Sequence, residues 1–130
     1  MTERDRLFLQ HILAAVADIQ DFAADGQATF LTDRKTQSAV IRQIEIIGEA
    51  VKNLSPELID RAPGVPWRLI AGARDRLVHA YFKVDLDMVW VMVEHDLPHL
   101  RTNVLGLLDQ VSLPSTPAPV PAPQERGGSP

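Results

Sequence analysis

Apolar residues in this chain recur at steps of three and four over most of its length, and no other feature constrains the fold as much. Near the N-terminus Phe8, Ile12, Ala15, Ile19 and Phe22 follow this period, with Leu9, Leu13 and Val16 widening the stripe. Val40, Ile44, Ile47, Val51 and Leu54 repeat it, as do Ile70, Ala73 and Leu77, continued by Ala80 or Tyr81. The longest series, Leu86, Val89, Trp90, Val93, Leu97, Leu100, Val104 and Leu107, keeps helical phase for about six turns. An α-helix advances 100° per residue, so each series gathers on one face and needs another such face to bury it. No strand-like alternation of useful length competes, and the expected fold is all-α, a bundle of four to five helices.

Start and stop signals divide these series. The first helix runs from Thr2 to about Ala24, and "GQATFLT" breaks it. Thr32 and Asp33 can cap the second, which ends near Asn53. Ser55 before Pro56 is a strong start for a short connector that Pro63 and Gly64 stop. Pro66 and Trp67 open the next helix, Asp85 caps the last, and Pro98 predicts a bend just before it. Residues 113–130, "LPSTPAPVPAPQERGGSP", hold six of the ten prolines and read as a disordered tail, so the domain is expected to span residues 1–112.

A length of 130 residues suits one domain with its own core, and the absence of cysteine removes disulfides and thiol chemistry. The first twenty residues mix charges among their apolar positions, unlike an export signal, and no run approaches the roughly 20 apolar residues of a membrane span. A cytoplasmic protein is expected. The net charge of −4 excludes a wholly basic nucleic-acid coat but permits a local cationic patch.

Ionisable groups concentrate in "GARDRLVHAYF", residues 72–82. If this stretch is helical, Arg68, Gly72, Asp75, Arg76 and His79 share a stripe nearly opposite the apolar one. Asp75 and His79 are then an i, i+4 pair in which the carboxylate orients the imidazole, with Arg76 adding positive charge. Gly72 would leave an open floor beside them, at a cost of about 1 kcal/mol against alanine. Such groups suit acid-base work on a phosphate ester, although a solvated helix face presents the same pattern.

The stretch "RDRLVHAYF" resembles the R-x-x-x-x-H-x-Y signature of the HepT-type toxins in the HEPN ribonuclease superfamily, with Arg74, His79 and Tyr81 at the matching positions. "IEIIGEAVKNLS", "VPWRLIAGARDRLVHAYF" and "VDLDMVWVMVEHDLPHL" extend the resemblance in order and spacing. It implies a HEPN-type bundle that forms a homodimer and cleaves RNA, transfer RNA among the candidates, without a metal or other cofactor. Arg74 and His79 would be catalytic, leaving a 2′,3′-cyclic phosphate and a 5′-hydroxyl, with Asp75 and Arg76 in support. Asp75 departs from the polar residue, often asparagine, usual after the arginine. The resemblance further implies a type VII toxin-antitoxin system in which a cognate MNT-type nucleotidyltransferase antitoxin silences the enzyme by attaching AMP to Tyr81. The alternative is a non-catalytic helical partner of that transferase, binding nucleotide or protein.

Five residues separate Arg74 from His79, about 140° around a regular helix. Either Arg74 wraps around, or the helix loosens there, or a second copy completes the site; which of Arg74 and Arg76 holds the phosphate stays open. His95 and His99 have a chelating i, i+4 spacing but no evident third ligand, so no metal site is expected. The Glu-x-x-His pattern of di-iron bundles is absent, and His11 reads as an ordinary helix residue.

Overall fold

The computed structural model describes residues 1–79 and 83–112, with only the backbone described at 78, 79, 83 and 110–112. The proposed tail, residues 113–130, and Tyr81 lie outside the described residues. Helix α1 covers Glu3–Phe22, and a capping box starts it: the Asp5 amide donates to Thr2 Oγ1 while the Thr2 amide donates to the Asp5 carboxylate. The segment read as a plain break is itself a short helix, α2, Gln27–Thr32. Gly26 has φ of +93°, a left-handed turn that reverses the chain into α2, and Phe30 is then fully enclosed.

Asp33 caps α3, Arg34–Lys52, by accepting from the Lys35 amide, and α3 ends at Asn53 as expected. Ser55 and Pro56 open α4, Pro56–Asp60. The stripes of α1 and α3 face each other: Leu9, Ile12, Val16 and Ile19 meet Val40, Ile44, Ile47 and Val51, all essentially removed from solvent. Each such side chain contributes about 1.5–3 kcal/mol by burial, which makes this pair the spine of the bundle.

The helix expected from Pro66 onward is divided in two, α5 at Trp67–Ala71 and α6 at Ala73–Leu77. The break falls at Gly72, the C-cap of α5, where an added Cβ would meet only the Arg68 carbonyl oxygen at 3.5 Å. A Cβ at Gly48 would lie 3.1 Å from the Ala71 carbonyl oxygen; glycine there lets α3 and α5 approach closely. After Leu77 the chain is extended. Strands β1, Val78–His79, and β2, Lys83–Val84, pair antiparallel, and the Asp85 amide closes on the Leu77 carbonyl at 2.9 Å.

Asp85 caps α7, Leu86–Val91, through the Met88 amide. A π-helical turn, Met92–Asp96, joins it to α8, Leu97–Ser112. Here the expected bend finds its form: Pro98 has no N–H and would crowd the Glu94 carbonyl in a regular helix, and the widened turn gives the Leu97 amide an i−5 acceptor, Met92. Leu97, Leu100 and Val104 lay α8 along α1. Among the described residues no helix is long and apolar enough to cross a membrane.

Candidate active site

Asp5 is the one buried charged residue among those described. It accepts from the Ser55 amide at 2.8 Å and the Ser55 hydroxyl at 2.7 Å, besides its capping contacts. Burial alone would raise its pKa, but the bonds from Ser55 and Thr2 together outweigh it and hold the carboxylate below its ordinary 3.8. With Arg4 donating to Asn53 Oδ1 at 2.6 Å, this clasp fixes the start of α1 against the end of α3. Its role is structural.

Along the same two helices a cleft of about 570 Å³ opens, and α6 completes its wall. Arg74 and Asp75 line it, with Glu45, Arg42 and His11. The Arg74 guanidinium donates from Nε to Glu45 Oε2 in a very short ion pair. Arg74 is 61% exposed and Glu45 28%, so the pair sits at a solvated mouth where it steers the guanidinium more than it stabilises the fold. His11, read alone as an ordinary residue, belongs to this cleft, its ring edge-on to Phe8 at 5.5 Å. Among the described residues no three His, Cys, Asp or Glu side chains gather to hold a metal ion.

The signature residues therefore do not share the stripe that a continuous helix implies. Arg74 and Asp75 face the cleft on the α1 and α3 side, whereas Arg76 lines a separate one with His95 and His99. His79 lies on β1, two residues past the end of α6, so the i, i+4 relation to Asp75 and the 140° offset from Arg74 both lapse. Of the three ways to reconcile Arg74 with His79, the loosened helix is the one found in the backbone; the His79 side chain and Tyr81 lie outside the description.

The family model for HepT-like ribonucleases matches residues 12–105, which include the signature, most of α8 and the cleft residues other than Phe8 and His11. The chain belongs to the HepT-like ribonuclease family. A candidate RNase of Methanocaldococcus jannaschii is 46% identical over 101 residues, 76% of this chain and 84% of that one. A candidate ribonuclease HepT of Thermococcus cleftensis is 44% identical over 95 residues, 72% and 86% of the two chains. A longer M. jannaschii protein, named as a gamma-glutamylcyclotransferase and candidate RNase, is 38% identical over 107 residues, 82% of this chain but 48% of its own. No solved structure matches the chain.

For a HepT-like ribonuclease, sequence reasoning missed Glu45, Arg42 and His11. A signal for Glu45 was present: Gly48 marks where another backbone comes close, and Glu45 lies one turn before it on α3. Arg42 and His11 carried none, because they join the site only through the packing of α1 on α3.

Proposed function

We propose that this chain is a metal-independent RNA endonuclease and the toxin of a type VII toxin-antitoxin pair, with transfer RNA among its substrates. The observation that carries the reading is the end of α6 at Leu77, which frees His79 from helical phase five residues after an arginine that already faces a cleft. His79 would take the proton of a ribose 2′-hydroxyl as its oxygen attacks the adjacent phosphorus. Arg74 would stabilise the charge developing on the phosphoryl oxygens, and the 5′-oxygen would leave with a proton to give a 2′,3′-cyclic phosphate and a 5′-hydroxyl. Histidine is the residue type whose protonation changes near neutral pH, which suits both transfers.

A homodimer would bring two signatures to one cleft, and exposed Val91 on α7 and Leu105 on α8 supply apolar surface for it. Silencing would follow from AMP on Tyr81: its hydroxyl oxygen attacks the α-phosphorus of ATP on the partner transferase and pyrophosphate leaves. The added purine and phosphodiester charge would then occupy the path of the RNA backbone. Cytoplasmic residence goes with this reading.

The test is incubation of the purified chain with RNA and a chelator. Cleavage that survives the chelator, leaves cyclic phosphate ends and is lost in His79→Ala supports the nuclease. The Arg74 to Glu45 pair favours a second reading, a non-catalytic partner of the transferase, since it occupies the very guanidinium that a phosphate needs. RNA left intact at high enzyme concentration would decide for that partner.

A further inference from the structure

Arg76 faces away from the cleft of Arg74, into a hollow of about 300 Å³ between α5 and the junction of the π-turn with α8. His95, Asp96 and His99 line its rim with Arg76, all exposed, and buried Met92 and Leu100 form its floor. Leu69, 52% exposed, makes an apolar wall. The ion pairs among the described residues are those of Glu45 with Arg74 and Glu49 with Lys52, so Arg76 projects without a carboxylate partner. The Asn103 side-chain amide lies 3.4 Å from His99 Nε2 and bonds the His99 carbonyl at 3.0 Å, which helps hold that imidazole in place.

The charges decide what such a hollow accepts. The Arg76 guanidinium has no ion-pair partner among the described residues, and the His95 and His99 rings each bring an N–H donor against the single carboxylate of Asp96, so donors outnumber acceptors at the rim and an anion is favoured. A metal is the wrong occupant, because His95, Asp96 and His99 do not gather as a ligand set. An apolar wall beside a cationic rim fits a group with a phosphate at one end and a flat, poorly hydrated body at the other, and the volume is at the lower limit of small-ligand pockets. One nucleotide unit has that shape.

We propose that Arg76, His95 and His99 form a subsite that holds a backbone phosphate of single-stranded RNA, with the base of that nucleotide against Leu69. This rests on the ribonuclease reading and extends it: Arg76 is two residues from Arg74, so a strand leaving the catalytic arginine meets the second hollow on the other side of the same short helix. Arg76 is then a binding residue, and its contact is equal in ground and transition states.

The experiment uses the full chain, a fluorescent single-stranded RNA oligomer and a chelator. Anisotropy reads affinity, single-turnover cleavage at saturating RNA reads chemistry, and sedimentation reads the oligomer. Arg76→Gln should weaken binding roughly tenfold, as for loss of a charged hydrogen bond. It should also flatten the dependence of log affinity on log salt by about 0.7, the value for one phosphate contact on a single strand. His95→Ala and His99→Ala, which remove the ring N–H donors, should each weaken binding severalfold, and Leu69→Ala should weaken it without touching the salt slope. At saturating RNA each variant should lose less cleavage rate than it loses affinity. Unchanged affinity and salt slope in Arg76→Gln overturn the subsite while leaving the nuclease standing. Affinity loss that merely follows dissociation of the oligomer also overturns it, by assigning the hollow to a subunit interface. A wild type that binds RNA without cleaving it defeats the nuclease reading, yet the same affinities still judge the subsite.

Discussion

The joint between α1 and α3 and the signature segment touch one another but obey different rules. At the joint every local preference agrees with the packing: both helices are capped by their own side chains, their apolar stripes meet, and the enclosed Asp5 has all its bonds supplied by Thr2 and Ser55. In the signature the helix lasts five residues twice and yields to a two-residue ladder, while Arg74, Asp75 and Arg76 all remain exposed. One region satisfies itself; the other leaves charges for something else to satisfy. Substitutions should therefore divide cleanly between stability and activity.

The largest effects belong to the signature. His79→Ala should lower single-turnover cleavage by about 10³-fold or more, in the range of a lost general acid-base group. Arg74→Ala should lower it by roughly 10²-fold. Because Arg74 is mostly exposed, its removal should move the melting temperature by no more than about 2 °C. A collapse in thermal stability would break the comparison, by making Arg74 part of the scaffold. If Arg76→Ala harms the saturated rate more than Arg74→Ala does, the phosphate-stabilising role moves to Arg76 and the two hollows exchange roles.

Asp5→Ala tests the other region. It leaves the Ser55 amide and hydroxyl without their acceptor and removes the Thr2 amide's half of the capping box on α1, a loss of about 2–3 kcal/mol. The melting temperature should fall on the order of 10 °C, while cleavage per folded molecule at low temperature stays that of the wild type. The sign with pH follows from the depressed pKa of Asp5. Stability from this carboxylate is fully present above its ordinary value of 3.8 and is lost as pH falls through the lower folded value. Asp5→Asn should therefore be less stable than the wild type at pH 7, with the difference shrinking in acid; a constant gap in urea melts from pH 7 to pH 2.5 would remove the clasp's electrostatic part.

How far the sequence revealed each region follows from the same contrast. The helical period, the caps at Asp33, Ser55 and Asp85 and the disturbance before Pro98 were all legible, because each depends on residues a few positions apart. Short α2 was missed, since six residues cannot display a period, and what holds it in place is the burial of Phe30 and the Gln37 side chain donating to the Phe30 carbonyl. The signature was misread as one continuous helix because its apolar positions keep phase through Leu77, and nothing local announces that Val78 will leave it. Arg74, His79 and Tyr81 are candidates by resemblance alone; that Asp75 lines Arg74's cleft and Arg76 a different hollow depends on which helices pack against α6.

Smaller effects sharpen the comparison within the cleft. Glu45 pairs with Arg74 and, on the proposed role of Arg74, would compete with phosphate for it, while Asp75 adds a second negative charge to the same wall. Glu45→Gln and Asp75→Asn should each lower the KM for RNA by a few-fold at low salt and lose that advantage as salt screens the site. With Asp75 one turn from His79 in a helix, Asp75→Asn would shift the pH-rate profile; with β1 extended, the profile should stay where it is. A displaced profile would restore the helical pairing of Asp75 with His79.

The smallest expected effect is that of deleting residues 113–130. Among the described residues the last fully buried side chain of α8 is Leu107, with Leu108 packed partly against the core, and the helix ends at Ser112. Beyond it the sequence has one leucine and one valine among six prolines, too little apolar surface to offset the entropy of ordering eighteen residues at roughly 1–2 kcal/mol each. The shortened chain should melt within about 2 °C of the full one, and its cleavage rate and KM should be unchanged. A loss of 5 °C or more would mean that the bundle carries a partner surface for the tail, and the exposed Leu69 wall beside Arg76 would be the first place to seek it. Competition would then decide the matter: a tail that occupies that wall should weaken RNA binding in the full chain, and its removal should tighten binding in the wild type but not in Leu69→Ala.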